Sequence, residues 1–145
     1  MKALTVHQPW AWAIAAGHKR IENRSWRTNY RGPLLIHAGR SRKLLDSGRA
    51  FIERIGIEVP PTCRLAFGAI VGIAMLDRCV PLSAESGDPF AEGPVCWVLS
   101  GARAITPIPL DGAMGLFDVP EEILSRLVEI ESPLPDWTPG VLPLH

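Results

Sequence analysis

The stretch GHKRIENRSW, running from Gly17 to Trp26, sets a lysine, a glutamate and an arginine at positions 19, 22 and 24. Read as a β-strand, its two-residue alternation places Glu22, Arg24 and Trp26 on one face and Ile21, Asn23 and Ser25 on the other. Lys19 then faces the wrong way unless it lies in a turn ahead of the strand, and Gly17 is a residue that permits such a turn. Brought into one cleft, the three groups have two chemical uses. Glu22 can hold the lysine ammonium while Arg24 presents a planar fork to a phosphate or a carbonyl edge. Alternatively, a desolvated Lys19 can act as base or nucleophile, with Glu22 passing the proton. The competing structural role is a surface ion pair on an edge strand, which spacing alone favours.

Trp10, Trp12, Trp26 and Tyr30 fall in the same basic segment, with Arg31 beside Tyr30. A basic cleft with aromatic planes is what single-stranded RNA or a splayed-out base requires. Trp10 and Trp12 cannot face the same way on a short helix, so at least one is expected in the core. Gln8 is a candidate amide partner for a base edge. His37 ends the apolar run PLLIHA, where a hydrogen-bonded core role is commoner than a catalytic one. Ser100 in VLSGAR ends a strand where ligands often sit, and its role as a turn residue is the commoner reading. No Ser or Cys stands in a nucleophile motif, and GRSRK lacks phosphate-loop spacing.

These side chains need elements to position them. KALTVH reads as a strand. QPWAWAIAAG reads as a short helix, with Pro9 in its first turn and Gly17 at its end. HKRIENRSW and PLLIHA read as two strands joined by the polar turn RTNYRG and paired as antiparallel neighbours. Ser41 is placed to cap RKLLDSGRAFIERIG, in which Leu44, Leu45, Phe51, Ile52 and Ile55 form one apolar face. LAFGAIVGIAMLDRCV reads as a long buried strand bent or closely approached at Gly68 and Gly72. PVCWVLSGARAITPIPL is one strand, or two divided near Ser100 and Gly101. DVPEEILSRLVEI reads as a last helix, with Asp118 as cap and Glu121 in capping-box register. About five strands and two or three helices predict a mainly β fold with flanking helices (α+β), a small, mostly antiparallel β-barrel. Residues 1–131 are expected as a single domain, and 132–145 as a Pro-rich tail packed on it or extending from it.

With 145 residues, 47% of them hydrophobic, the chain is long enough for one core. Its zero formal charge hides an asymmetry: residues 1–54 hold 11 Lys/Arg against 3 Asp/Glu, and the remainder holds 4 against 12. Such a basic segment suits an anionic partner. Cys63, Cys79 and Cys96 lack metal-ligand spacing and are expected as reduced core thiols. No cofactor, metal or membrane partner is expected, and the absence of a signal-like or membrane-spanning run predicts a soluble cytoplasmic protein.

The motif at Gly17, Lys19, Glu22 and Arg24 resembles the G-x-K-x-x-E-x-R pattern of the ASCH domain, a branch of the PUA-like superfamily. LTVHQPWAWAIAAG before it and YRGPLLIHAG after it support the match, in the manner of the small stand-alone members of the endothelial-overexpressed lipopolysaccharide-associated factor type. The resemblance implies a PUA-like barrel, a cleft lined by the motif, and RNA or a modified nucleoside as ligand. The binding residues would be Gln8, Trp10, Lys19, Arg24, Trp26, Tyr30, Arg31, His37 and Ser100. Some similar proteins are N4-acetylcytidine amidohydrolases that use the motif lysine with a threonine and a distant glutamate. Here Glu22 takes the threonine position, and Asp77 is the nearest acid to the glutamate position. A ribonuclease-like activity is the other enzymatic expectation, and in either case Lys19 and Glu22 would be the catalytic pair. The Pro-rich tail leaves a third role, a protein-interaction module.

Overall fold

The computed structural model describes residues 1–130. Its strands are β1 (Lys2–Val6), β2 (Ile21–Arg24), β3 (Gly32–Ala38), β4 (Ala69–Pro81), β5 (Val95–Pro109), β6 (Leu116–Asp118) and β7 (Glu129–Ile130). Helices α1 (Trp10–Ala15), α2 (Leu45–Arg54) and α3 (Glu121–Leu124) flank them. The strands form one sheet in the order β2-β5-β4-β3-β1-β6, with β7 added to β5. This is the mainly β class with flanking helices that the sequence predicts, built as a curled half-barrel.

Pairing departs from expectation at β2 and β3, which are not neighbours, because β5 and β4 lie between them. The edges of β3 are taken by β4 and, in parallel, by β1, with Leu4 opposite Ile36 and Val6 opposite Ala38. Parallel neighbours need a crossover, and α1 with β2 supplies it. Both faces of β1 and β3 are thereby covered. Leu4, Val6, Leu34 and Ile36 pack with Ala11 and Ile14 of α1, whereas Ala3 and Leu35 pack with Ile123 of α3. Each large apolar side chain buried in this way contributes about 1.5–3 kcal/mol.

The curl comes from β4 and β5. Their long antiparallel ladder shifts register near Ile70/Gly72, Ile73/Met75 and Leu76/Arg78, and each irregularity bends the pair and raises its twist. β5 passes through Ser100 and Gly101 as a single strand, with Gly101 at φ +59°. At Gly72, α1 rests on bare backbone: an added Cβ would lie 2.8 Å from the Ala15 Cβ and 3.1 Å from the Arg103 carbonyl.

The helix ends also differ from expectation. α2 begins after Leu44 with no side-chain cap, and the Ser41 hydroxyl instead accepts the Lys43 amide at 3.3 Å. α3 is a single turn preceded by Pro120, because Asp118 belongs to β6 and pairs with Lys2 at 2.9 Å instead of capping. Residues beyond it leave the helix to pair as β7 with β5. Cys79 and Cys96 are buried, whereas Cys63 lies exposed in a 3₁₀ turn, since the chain there follows the surface between α2 and β4. The tail expected over 132–145 lies outside the described residues. Among the described residues, no helix is long and apolar enough to cross a membrane and no cluster of His, Cys, Asp or Glu could hold a metal ion.

Filling the contact at Gly72 tests how α1 is seated. Gly72→Ala is expected to lower stability by about 1–3 kcal/mol in urea denaturation, the usual cost of overpacking. An unchanged midpoint would show that the helix does not need bare backbone beneath it.

Candidate functional site

Gly17, at φ +84°, ends α1 and reverses the chain, so that the amides of His18 and Lys19 both reach the Ala13 carbonyl, at 2.9 and 3.0 Å. This turn delivers Lys19 to the side of β2 that carries Glu22 and Arg24. Lys19 is only 4% exposed, and its Nζ donates to the Ile21 carbonyl and to Glu22 Oε1 at 3.1 Å. It also lies 5.9 Å from the ring centres of both Trp10 and Phe90. A carbonyl, a carboxylate and two ring faces are the partners of an ammonium cation. The second carboxylate oxygen of Glu22 accepts from Arg24 Nη2 at 2.9 Å, and that nitrogen also donates to the Thr5 carbonyl at 2.8 Å. Arg24 Nε is buried without an acceptor among the described residues.

This chain of charges lies in the wall of a cleft of about 500 Å³. β2 and the turn before it supply Lys19, Glu22, Asn23 and Arg24, and the end of β1 supplies Val6 and His7. α2 adds Phe51 and Arg54, one helical turn apart, while Leu45, Gly48 and Ile52 face the core. The loop before β5 adds Phe90 and Glu92. Asn23 holds that loop: its Nδ2 donates to the Phe90 carbonyl, and its Oδ1 accepts the Glu92 and Gly93 amides, all at 2.8 Å. Trp10, Phe51 and Phe90 form an aromatic triad with centroids 5.7–6.3 Å apart. His7 binds its proton less tightly than an ordinary imidazole, first because it is partly buried and then because Lys43 and Arg24 repel a second positive charge, with Glu22 opposing them.

Of the residues singled out from sequence, the fold brings Trp10, Lys19, Glu22 and Arg24 into this cleft, and the others lie elsewhere. Gln8 is buried and structural: its Oε1 accepts the Trp12 amide and its Nε2 donates to the Ala66 carbonyl, both at 2.9 Å. Trp12 is the buried member of the helix pair. Trp26 falls beyond the end of β2 and packs edge-on against Trp97 at 4.8 Å. The Tyr30 hydroxyl donates to the Pro33 carbonyl, and Arg31 donates to the Thr28 and Tyr30 carbonyls at 2.7 and 2.8 Å, so both brace the β2–β3 connection. Ser100 is exposed on β5 opposite Met75.

His37 is buried between the Leu110 carbonyl and the Thr5 hydroxyl. A carbonyl only accepts, so Nε2 carries the proton and Nδ1 accepts from Thr5 at 3.1 Å. Burial lowers the proton affinity of this imidazole.

His7, Phe51, Arg54, Phe90 and Glu92 escape sequence reasoning. The helical spacing of Phe51 and Arg54 was a usable signal, since it puts both on one side of α2. Phe90 and Glu92 sit in a polar loop without period and carried none.

A family model described as the ASCH domain matches residues 4–108. Over 35 residues, 24% of this chain, the sequence is 57% identical to activating signal cointegrator 1 of Homo sapiens and 54% identical to that of Mus musculus. The match spans only 6% of the length of either relative. Among solved structures, ASCH from Zymomonas mobilis superposes with a TM-score of 0.59 at 15% identity, covering 90% of this chain and 97% of that one. A tyrosine-to-phenylalanine variant of the Zymomonas protein gives 0.58 at 14% identity, covering 88% and 98%. At such identities the likeness concerns the fold.

Two measurements test the energetics. Glu22→Gln removes the counter-charge of a buried lysine and is expected to cost about 3–5 kcal/mol of stability. A loss below about 1 kcal/mol would mean that the pair behaves as a surface one. For pH, the folded state holds protons on His7, His18 and His37 less tightly than the unfolded chain does, burial being the first cause at each. The unfolded chain therefore takes up protons first as pH falls below 6.5, so stability is full above that value and declines beneath it. Denaturant midpoints across that range are expected to fall with pH, and less steeply in His37→Gln. Equal slopes would remove His37 as a source.

Proposed function

The chain belongs to the ASCH domain family, and from that premise we propose that its cleft binds RNA or a modified nucleoside by receiving one unstacked base. The supporting observation is the juxtaposition of the Lys19–Glu22–Arg24 charges with the Trp10, Phe51 and Phe90 rings in a single cavity. Trp10 and Phe51, the partly exposed rings, offer a base its stacking surface, with Phe90 packed against both, and base–aromatic contact contributes about 1–3 kcal/mol. The cations give the cleft a positive field that draws a phosphate chain. Glu22 neutralises one of the two cations of the network, so Lys19 serves as a buried positive charge and Arg24 as the more accessible one. In this reading residues 1–131 constitute the domain, and it works in the cytoplasm.

One observation favours a second reading, a small hydrolase acting on an N4-acetylcytidine-like amide or on RNA. Lys19 Nζ and Glu22 Oε1 are 3.1 Å apart, within reach of proton transfer. Against it, Lys19 is bound by the Ile21 carbonyl as well, and both oxygens of Glu22 are engaged by cations. We rank binding first.

Fluorescence anisotropy with a labelled single-stranded RNA is expected to show affinity falling with salt, each phosphate contact adding about −0.7 to the logarithmic slope. Arg24→Ala should weaken binding about tenfold, the loss of one charge-assisted contact. Salt-independent or absent binding would overturn this reading. Chromatography after incubation with N4-acetylcytidine and with RNA tests the second: turnover abolished in a Lys19→Ala variant that keeps the native circular dichroism spectrum would support it, and turnover that survives the substitution would remove its mechanism.

A further inference from the structure

Some of the charges lining the cleft are not consumed by the scaffold. Lys19 is occupied by Ile21 and Glu22. Arg24 commits Nη2 to Thr5 and Glu22, which leaves Nη1 without a partner among the described residues. Arg54, in the last turn of α2, lines the cleft and makes no hydrogen bond or ion pair with the described residues. Glu92 likewise has no cation partner among them, and it enters on the loop that carries Phe90. Among the described residues, the cavity thus has one unspent guanidinium group, on Arg54, one uncommitted nitrogen of a second, on Arg24, and one unspent carboxylate, on Glu92.

We propose that the ligand is recognised as a nucleotide and not as a bare nucleoside, with its base against Trp10 and Phe51 and its phosphate on Arg54 and Arg24. This rests on the nucleic-acid reading above and adds the phosphate to it. A cavity of about 500 Å³ suits one such unit better than a stack of them. Phe90 is buried, at 4% exposure, and packs against both other rings, so the ring surface open to a planar guest belongs to Trp10 and Phe51, which meet at 61° and are partly exposed in the cleft. A guanidinium fork matches phosphate oxygens in two-point contact. Glu92, next to the aromatic wall, can accept from an exocyclic amine of the base.

His7 reports on the same field. Partial burial is the first cause of its weakened hold on a proton; after it act the charges of Lys43 from the segment before α2 and Arg24 from β2, with Glu22 opposing them. A phosphate bound beside Arg24 adds negative charge that counters Lys43 and Arg24, so the imidazole holds its proton more tightly than in the free protein. A neutral nucleoside brings no charge to do so.

Calorimetric titration with the ribonucleoside 5′-monophosphates, the matching nucleosides, a dinucleoside monophosphate and inorganic phosphate tests the proposal. A monophosphate is expected to bind about tenfold tighter than its nucleoside, as one charge-assisted contact provides, and Arg54→Gln to remove most of that advantage. His7 imidazole shifts followed by NMR are expected to titrate at higher pH in the monophosphate complex. A dinucleoside monophosphate that binds as well as the monophosphate assigns the phosphate to an RNA chain, and one that fails assigns it to a free nucleotide. Equal affinities of nucleoside and monophosphate would overturn the phosphate assignment while leaving base binding intact. An advantage unchanged in Arg54→Gln overturns it too. Inorganic phosphate binding as tightly as the monophosphate removes the base from the proposal, and no binding of nucleoside, nucleotide or dinucleotide overturns both this inference and the nucleic-acid reading.

Discussion

A lysine ammonium almost wholly removed from water persists only where other groups replace its hydration, and Lys19 has that replacement in Glu22, the Ile21 carbonyl and two ring faces. The requirement propagates outward. Glu22 is itself buried and needs a second donor, which Arg24 provides, and Arg24 in turn docks on the Thr5 carbonyl of β1. One run of charge therefore ties the turn after α1, the edge strand β2 and the end of β1, elements that share no strand pairing. Removing any member leaves a charge or a polar atom stranded in a dry place, so the network holds the cleft in one geometry.

The opposite wall is built by different physics. α2 packs Leu45, Gly48 and Ile52 inward, and Gly48 admits Pro9 and Trp10 so closely that an added Cβ would lie 2.6 Å from the proline ring. The helix thereby presents Phe51 and Arg54 across the gap from Glu22 and Arg24. The loop carrying Phe90 has no regular structure to hold it, and Asn23 takes that part with three hydrogen bonds. A strand residue assigned by alternation to the face opposite Glu22 and Arg24 thus acts as the fastening of the second wall. Gln8 does similar work beneath α1, and His37 between β1, β3 and the Leu110 segment. Each is a polar group placed in an apolar setting because its hydrogen bonds are complete there.

Much of this was legible along the chain where the controlling interaction is local. Alternation in IENR put Glu22 and Arg24 on one face, and Gly17 marked the reversal on which Lys19 depends. The apolar period of FIERI and the long AIVGIAML run fixed α2 and β4 to within a few residues. Legibility failed where the deciding contact is remote. β2 and β3 are near in sequence, yet the edges of β3 are filled by β1 and β4, because Leu4 and Val6 complete a core layer with Leu34 and Ile36 that β2 could not. Trp26 and Tyr30 carried the aromatic signal, but the strand ends at Arg24, and beyond it the chain turns away from the cleft.

By itself, the sequence determined the mainly β class, the basic character of the first third and the Lys19–Glu22–Arg24 constellation, since each depends on side-chain type and a spacing of a few residues. Only the tertiary structure decided that the lysine is buried, that Phe51, Arg54 and Phe90 face it, and that His37, Gln8 and Tyr30 support the scaffold. The physical reason is that a side chain's chemistry follows from its identity, whereas its solvent exposure and partners are set by segments tens of residues away that pack to cover apolar surface.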